Sequence, residues 1–239
     1  MTTWLFDLGN TRLKYAPLAA DGQLGAVHAV AHDASEAWLA ALPEGEVACI
    51  ASVASPARRV ALLDELCTRF TRLHRVHTEP ALGPLRIAYA DPSHLGVDRF
   101  LAMLAAADGR AALVLGVGTA LTLDVLGAGG QHGGGRIAPS PELMRQALHA
   151  RAAQLPASGG DYIEFADDTA PALASGCEGA ALGLIERSLH HATAQLGQVP
   201  RLCVHGGGAQ ALRPHLPAHD WVPDAVLHGL ARWHALRIA

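Results

Sequence analysis

The feature that most constrains the fold is a short unit that occurs twice: an apolar strand, a glycine turn and a second, alternating strand. The first copy contains Asp7-Leu8-Gly9-Asn10-Thr11, and the second has its turn at Gly116-Val117-Gly118-Thr119. Each is typical of a β-hairpin whose turn exposes backbone N–H groups, which can hold a phosphate. A plain connecting turn is the alternative for the first copy taken alone. Because the unit repeats, we predict two related halves that face each other.

Lys14, three residues after the first turn, is the only lysine in the protein; all other side chains of this charge are arginine. A lysine ammonium is a compact point charge, unlike the planar guanidinium. Its retention beside a phosphate-type turn therefore favours a role in holding phosphate.

Composition excludes several classes of protein. Of the 239 residues, 50% are hydrophobic and 17% charged, which indicates a globular protein with a large core. The net charge of -4, without a basic run, argues against nucleic-acid binding. The four scattered cysteines form no C-x-x-C pair, and we expect them to be reduced. The 14 histidines form no metal motif, and neither a leader nor a membrane span is apparent. We therefore expect a cytoplasmic protein.

Strands and helices alternate along the chain, which predicts an α/β fold. Asp108-Gly109 marks a boundary, so we predict an N-terminal lobe at 1–109 and a C-terminal lobe at 110–239. Each lobe would have a mixed β-sheet opened by a hairpin and flanked by helices, with a nucleotide cleft between the lobes. The serine N-cap in Ser55-Pro56 predicts a helix start, as does Asp224 for the last helix.

A third glycine turn follows the strand at 201–204, in His205-Gly206-Gly207-Gly208-Ala209. Three such turns resemble the nucleotide cleft of the superfamily that includes acetate and sugar kinases, heat-shock chaperones and actin. That resemblance implies two actin-like (ribonuclease H-like) lobes. Neither a GxGxxG fingerprint nor a GxxxxGK[ST] loop is present, which argues against the Rossmann and P-loop interpretations.

Further motifs, in this order and spacing, resemble type III pantothenate kinase over essentially the whole chain. They are Tyr89 followed by Gly96-Val97-Asp98-Arg99; Gly134-Gly135-x-Ile137-x-Pro139; Gln154-Leu155-Pro156; and Thr169-x-x-Ala172-x-x-Ser175-Gly176. The same family includes Bvg accessory factors, to which a role in virulence-gene expression has been attributed.

The resemblance implies a role for each matching residue. Asp98 would be the general base that takes a proton from the pantothenate hydroxyl. The substrate would be held by Tyr89, Gly96, Val97 and Arg99, and by Thr169 across a homodimer interface. ATP would contact both hairpins and the third turn, through Asp7, Gly9, Asn10, Thr11, Lys14, Gly118, Thr119, Ala120, Gly206 and Gly207. Asp7 would hold Mg²⁺, and Asp124 a monovalent cation, K⁺ or NH₄⁺.

The chemistry of phosphoryl transfer agrees with these roles, because it needs charge neutralisation and in-line positioning more than covalent catalysis. A carboxylate that accepts the alcohol proton contributes roughly 10²–10⁴ in rate. At a helix start, Asp98 would sit at the positive end of the helix dipole, and Arg99 suits a substrate carboxylate.

The sequence departs from the family pattern at Gly116, where many relatives have an acid, and at Ser140, where glycine is usual. A histidine expected near the substrate falls around His149 or Arg151 and cannot be aligned.

Structural alternatives remain for several of these residues. Asp98 with Arg99 could be a helix-end acid beside a surface salt bridge, Asp124 and Thr169 could be caps, and 206–208 a simple connection. Three functions are therefore weighed: a pantothenate kinase, a nucleotide-binding regulator of the accessory-factor kind that has lost catalysis, and a kinase for another small polyol or acid. Gly116 favours the regulator, whereas Lys14, Asp98 and Arg99 favour the enzyme.

Overall fold

A computed structural model describes residues 2–32 and 37–238. Of the short helix that the sequence predicts at 34–41, the first residues lie outside this described part. The remainder is a 3₁₀ helix, Ala37–Ala41.

The first sheet has five strands in the described chain, in the order β3-β2-β1-β4-β5. β1, β2 and β3 form an antiparallel meander, whereas β4 and β5 run parallel to β1. The strands are β1 (Thr3–Leu8), β2 (Arg12–Leu18), β3 (His28–Ala31), β4 (Gly45–Ser52) and β5 (Phe70–Arg75). A small hairpin follows, made of β6 (Ala81–Leu82) and β7 (Leu85–Arg86).

The second sheet repeats this connectivity, with β10-β9-β8-β11-β12 as its order in the described chain. β8, β9 and β10 are antiparallel, and β11 and β12 run parallel to β8. The strands are β8 (Ala112–Val117), β9 (Ala120–Leu126), β10 (His132–Pro139), β11 (Arg201–His205) and β12 (His219–Trp221). The predicted repeat of a hairpin unit therefore extends to a repeat of the whole sheet.

Serine side chains cap two of the helices, whereas the predicted cap Asp224 makes no side-chain cap hydrogen bond to the last helix. The Ser55 hydroxyl accepts a hydrogen bond from the Arg58 N–H, which confirms the predicted start of α1. Ser140 similarly caps α3 through the Leu143 N–H. The helices are α1 (Pro56–Arg69), α2 (Val97–Ala106), α3 (Pro141–Arg151), α4 (Thr169–Leu196), α5 (Ala209–Leu212) and α6 (Ala225–Arg237), with short 3₁₀ helices at Pro92–His94 and Arg213–His215.

The chain packs as two compact units, 1–108 together with 224–239, and 109–223. The sequence predicts a boundary at 109, but it assigns the last helix to the second lobe. In the structure α6 instead packs on α2. A Cβ at Gly229 would lie 2.8 Å from the Leu101 Cα, so only glycine permits this approach. The Arg232 guanidinium also donates to the carbonyls of Leu104 and Ala105 at the end of α2.

Each unit has its own apolar core, which explains why the sequence is so rich in aliphatic residues. Leucine and isoleucine from the strands meet the inner faces of the helices in both cases. The first core includes Phe6, Leu8, Leu13, Ile50, Leu62, Leu66 and Phe70. The second includes Leu113, Leu115, Leu123, Ile185, Leu202 and Val204.

Candidate active site

The first glycine turn closes the hairpin between β1 and β2. The Gly9 N–H donates to the Arg12 carbonyl oxygen at 3.1 Å, and a Cβ at Gly9 would lie 3.3 Å from the same oxygen. Asn10 and Thr11 are exposed, and the Arg58 guanidinium from α1 donates to the Asn10 carbonyl at 2.6 Å. The turn is thus braced from α1 while its small polar side chains face solvent.

A group of charges lies just behind this turn. Asp7 and Lys14 face each other across the β1–β2 pair, and the Lys14 Nζ is 2.8 Å from a carboxylate oxygen of Asp224, at the start of α6. Burial, then repulsion from Asp98, raises the pKa of Asp7 to about 7; Lys14 opposes this and Asp224 adds to it. Desolvation and like charges disfavour the ionised form of Asp7, so a bound cation would stabilise its carboxylate. The structure therefore brings Asp7, Lys14 and Asp98 together in the first unit.

Asp98 lies in the first turn of α2, beside the other predicted acceptor residues. Its Oδ1 accepts the Arg99 N–H at 2.8 Å, and a Cβ at Gly96 would approach that oxygen to 2.6 Å. Gly96 therefore leaves the room that the carboxylate occupies. The buried Arg99 donates to the Tyr89 hydroxyl at 3.4 Å, with its guanidinium carbon 5.9 Å from the ring centroid. Val97, in contrast, packs its side chain in the core at 8% exposure.

The second glycine turn, in the second unit, has a similar hairpin geometry. The Gly118 N–H donates to the Ala120 carbonyl at 2.9 Å, and both Gly118 and Thr119 are exposed. Unlike the strands of the first hairpin, those that form this one contain no lysine, and their single carboxylate, Asp124 of β9, is buried. What this hairpin offers a ligand is therefore backbone N–H groups and one hydroxyl.

The third turn lies directly against the second hairpin. Gly206 has a φ of +93°, and a Cβ there would come within 2.7 Å of the Val117 carbonyl carbon. The Gly208 N–H donates to the Val117 oxygen at 3.0 Å. Glycine is thus required at position 206, both by the positive φ and by the close approach of the turn to β8. The two glycine turns of this unit, including the exposed Gly207, form one continuous surface.

The space beside Gly116, the position at which the family resemblance leads us to expect an acid, is filled. A Cβ at Gly116 would meet the Thr122 hydroxyl at 2.7 Å and the His205 Nε2 at 2.8 Å. Because His205 is the last residue of β11, its ring reaches across the parallel strand pair to β8. The position therefore carries an imidazole in place of a carboxylate, which sequence reasoning did not identify.

Asp124 is enclosed within the second unit. It is 1% exposed, and its Oδ1 is 3.1 Å from the Nε2 of His132, which is equally buried. Hard cations prefer carboxylate oxygens as ligands. The Oδ1 of Asp124, however, lies beside the Nε2 of His132. Asp124 thus fits a monovalent-cation site only in part. Its side chain does more than cap a strand end.

Thr169 is exposed at the first position of α4. The sequence predicts that this long helix begins near Ser175 or Gly176, so the observed helix begins earlier than predicted. The Asp168 carboxylate caps the helix by accepting the Thr169 N–H at 2.8 Å, and Pro171 is tolerated in the first turn. Thr169 is therefore not the cap itself.

An apolar groove of about 670 Å³ runs between α3 and α4. It is lined by Pro139, Leu143, Met144, Ala147, Leu148, Ala172, Leu173, Gly176 and Cys177. Beyond the groove, Phe165 is 94% exposed and Ile163 is 47% exposed. The Nδ1 of His149 donates a hydrogen bond to the Leu155 carbonyl at 2.6 Å, so this ring nitrogen already has a local partner.

Two features are absent from the residues that the structure describes. No helix among them is long and apolar enough to span a bilayer. No group of three or more His, Cys, Asp or Glu side chains among them is arranged to hold a metal ion.

The two sheets, each with a glycine-turn hairpin, define the class of actin-like α/β proteins. Among solved structures, the chain resembles a candidate Baf family transcriptional activator from Campylobacter jejuni, with a TM-score of 0.67, 18% identity and 97% of both chains covered. It also resembles a candidate 2-dehydro-3-deoxygalactonokinase from Sinorhizobium meliloti, with a TM-score of 0.56, 17% identity and 99% and 100% coverage. At these identities the likeness shows the fold.

Sequence comparison narrows the class. The family model described as type III pantothenate kinase matches residues 4–192. A type III pantothenate kinase of Stenotrophomonas maltophilia (strain R551-3) is 59% identical, covering 98% of this chain and 97% of that protein. One from Xanthomonas euvesicatoria pv. vesicatoria (strain 85-10) is 58% identical with the same coverage. The chain belongs to the type III pantothenate kinase family, which confirms the predicted family, the actin-like α/β fold and the assignment as a kinase.

Proposed function

We propose that this protein transfers the γ-phosphoryl group of ATP to the primary hydroxyl of pantothenate. The product is 4′-phosphopantothenate, and the reaction is the first step of coenzyme A biosynthesis. The observation that carries this proposal is the meeting, in one unit, of the Asp98 carboxylate with the first phosphate hairpin through Asp7. The names of relatives at 58–59% identity support the enzyme over the regulator.

On the acceptor side, Asp98 is the proposed general base. Its position in the first turn of α2 fixes it next to Arg99, whose guanidinium is held against Tyr89. A guanidinium so oriented can bind the pantothenate carboxylate through two parallel hydrogen bonds. Gly96 contributes by leaving space for the base, and Val97 acts through packing because its side chain is buried.

On the nucleotide side, we propose that N–H groups and hydroxyls of both hairpins contact the ATP phosphates. Gly9, Asn10 and Thr11 supply them in the first unit. Gly118, Thr119 and Ala120 supply them in the second, with Gly206 and Gly207 beside the adenosine. Lys14 adds a positive charge, which stabilises the negative charge of the phosphates in the transition state of phosphoryl transfer.

Mg²⁺ is the proposed metal, with Asp7 as its protein ligand, directly or through water. Mg²⁺ is usually bound by one or two carboxylates together with substrate phosphates, which agrees with the lack of a larger acidic cluster among the described residues. The raised pKa of Asp7 fits a carboxylate that is stabilised when a cation arrives. When bound, the ion would neutralise phosphate charge.

We also propose that the enzyme requires K⁺ or NH₄⁺. The family resemblance makes Asp124 the candidate ligand for this cation. Its bond to His132 means that such an ion would have to share or replace an existing partner. Initial rates with K⁺, NH₄⁺ and a bulky organic cation test the requirement. Asp124→Asn tests the ligand, because a K⁺ response that survives this change would place the ion elsewhere.

We further propose that the protein is a homodimer formed through the apolar groove between α3 and α4, with Thr169 reaching the partner's substrate. The exposed Leu143 and Leu148 give this face an apolar area that a second copy would cover, and the 94% exposed Phe165 lies four residues before α4. Phe165→Glu should convert the dimer to a monomer in light-scattering chromatography and reduce turnover. Val199→Glu, at a residue 73% exposed on the same unit, is the matched control and should leave the dimer intact.

The central experiment is ADP release with ATP, Mg²⁺ and pantothenate, with mass spectrometry of the product. Turnover that depends on pantothenate supports the proposal. If ATP binds but no cation restores turnover, the regulator is favoured instead. If turnover requires another polyol or acid, the substrate assignment fails while the kinase assignment stands. A cytoplasmic location, also proposed, can be tested by cell fractionation.

A further inference from the structure

The bond between Lys14 and Asp224 joins two segments that are 210 positions apart in the chain. Lys14 lies on β2 and Asp224 directly precedes α6, both within the first unit. Their side chains are 21% and 20% exposed, so the pair is sheltered without being sealed. Asp224 also lies beyond residues 4–192, which the family model matches.

The direction of the Asp224 carboxylate is unusual for its position. An aspartate at the N-cap of a helix ordinarily accepts a backbone N–H of the first turn. Within the described chain, α6 receives no such side-chain bond from Asp224, whose oxygen instead lies 2.8 Å from the Lys14 ammonium. The Asp224 side chain therefore pairs with the only lysine of the protein and does not cap α6.

Lys14 has a second geometric constraint. It stands directly opposite Asp7 in the antiparallel register, so its stem leaves β2 beside the proposed Mg²⁺ ligand. A lysine side chain is flexible, and fixing its ammonium against a carboxylate removes much of that freedom before a ligand binds. An ammonium has three donors, so a bond to Asp224 is compatible with a second acceptor such as a phosphate oxygen.

We propose that Asp224 is a positioning residue that fixes the Lys14 ammonium for the phosphates of the nucleotide. This inference rests on the proposed function, in which Lys14 contacts ATP. Asp224 acts through Lys14 and does not itself contact the substrate or the metal.

The test is a double-mutant cycle on the full-length protein with Lys14→Ala, Asp224→Asn and the double variant. Asparagine is as good an N-cap as aspartate, so α6 should be retained. We expect Asp224→Asn to lower kcat/KM for ATP about tenfold, the order expected for one lost charge-assisted hydrogen bond. KM for pantothenate should change little. In the Lys14→Ala background, Asp224→Asn should have almost no further effect.

Two additional variants separate positioning from general structure. Asp224→Glu retains the carboxylate and should recover part of kcat/KM for ATP. Asp220→Asn removes a comparable ion pair, the 2.9 Å contact with Arg201, and should leave the nucleotide kinetics unchanged. Melting temperatures of all variants identify any that fail to fold.

Independent, additive losses from Lys14→Ala and Asp224→Asn would overturn the proposal. So would an Asp224→Asn defect that disappears at high Mg²⁺, because Asp224 would then act on the metal. If the wild-type protein does not phosphorylate pantothenate, the proposed function fails separately. The same cycle can then be measured by calorimetric binding of Mg–ATP, which does not require the acceptor.

Discussion

The two hairpins share strand order and turn geometry but differ in charge. The first has Asp7 and Lys14 on its strands and gains Asp98 and Asp224 from α2 and the start of α6. The second has Gly116 at the strand position near its turn, with the His205 ring above it. A repeated backbone has therefore been given different chemistry in its two copies.

This difference shows that the charged side chains suited to catalysis are concentrated in the first unit. In the first unit, desolvation and then the nearby Asp98 carboxylate raise the pKa of Asp7 to about 7, with Lys14 opposing the shift. In the second, the hairpin and the adjoining Gly206 turn offer mainly backbone N–H groups, which bind an anion without a charged side chain. We infer that the first unit supplies the chemistry and the second mainly supplies binding.

The largest expected effect is on catalysis in the first unit. Asp98→Asn should lower kcat about 10²–10⁴-fold, because the alcohol proton loses its acceptor, while ATP affinity changes little. Steady-state kinetics and calorimetry measure the two quantities. Asp64→Asn, an exposed carboxylate on α1, is the control. Near-normal kcat in Asp98→Asn would remove the base from this unit and with it the contrast between the hairpins.

Gly206→Ala tests the backbone of the second unit. A φ of +93° and the contact with Val117 should together cost about 2–4 kcal/mol in unfolding free energy and weaken ATP binding. Denaturant melts and calorimetry provide the measurement. Gly129→Ala, where a Cβ meets nothing within 4 Å, should be nearly silent. An equally silent Gly206→Ala would show that this turn does not depend on glycine.

Gly116→Asp introduces the acid that the family resemblance leads us to expect at this position. We expect a loss of about 1–3 kcal/mol in stability, because the new side chain would overlap Thr122 and His205. Combining it with His205→Ser should recover much of that loss by opening the space. If Gly116→Asp alone is neutral in a thermal melt, the imidazole does not fill the position as described.

The smallest expected effect is a pH dependence of stability from Asp7. Its folded-state pKa of about 7 is above the ordinary 3.8, so the folded protein retains a proton that the unfolded chain has lost. Stability should therefore fall as pH rises from about 4 to 7, by roughly 1–2 kcal/mol after allowing for partial solvent access. Asp7→Asn should remove this slope in melts with EDTA. The same slope in both proteins would assign it to other groups.

The sequence predicted the repeat of the hairpin, because the pattern of strand, glycine turn and strand is local. That Tyr89 and Arg99 belong with Asp98 was implied by the resemblance to the family, and the structure places Tyr89 against Arg99. Sequence reasoning did not predict the pairing of Lys14 with Asp224, since nothing local links residues that are 210 positions apart. It also missed that His205 fills the space beside Gly116, which depends on the register of β11 against β8. Asp224 was predicted only as a helix cap, a role that its side chain does not take.

The return of α6 to the first unit has a consequence for dissecting the protein. The second unit is one uninterrupted insertion at 109–223, whereas the first is assembled from both ends of the chain. A fragment that stops before residue 224 would expose the α2 face that Gly229 covers and would lose the carboxylate partner of Lys14. The first unit can therefore be isolated only by bridging residue 108 to residue 224 with a linker, and the second by excision.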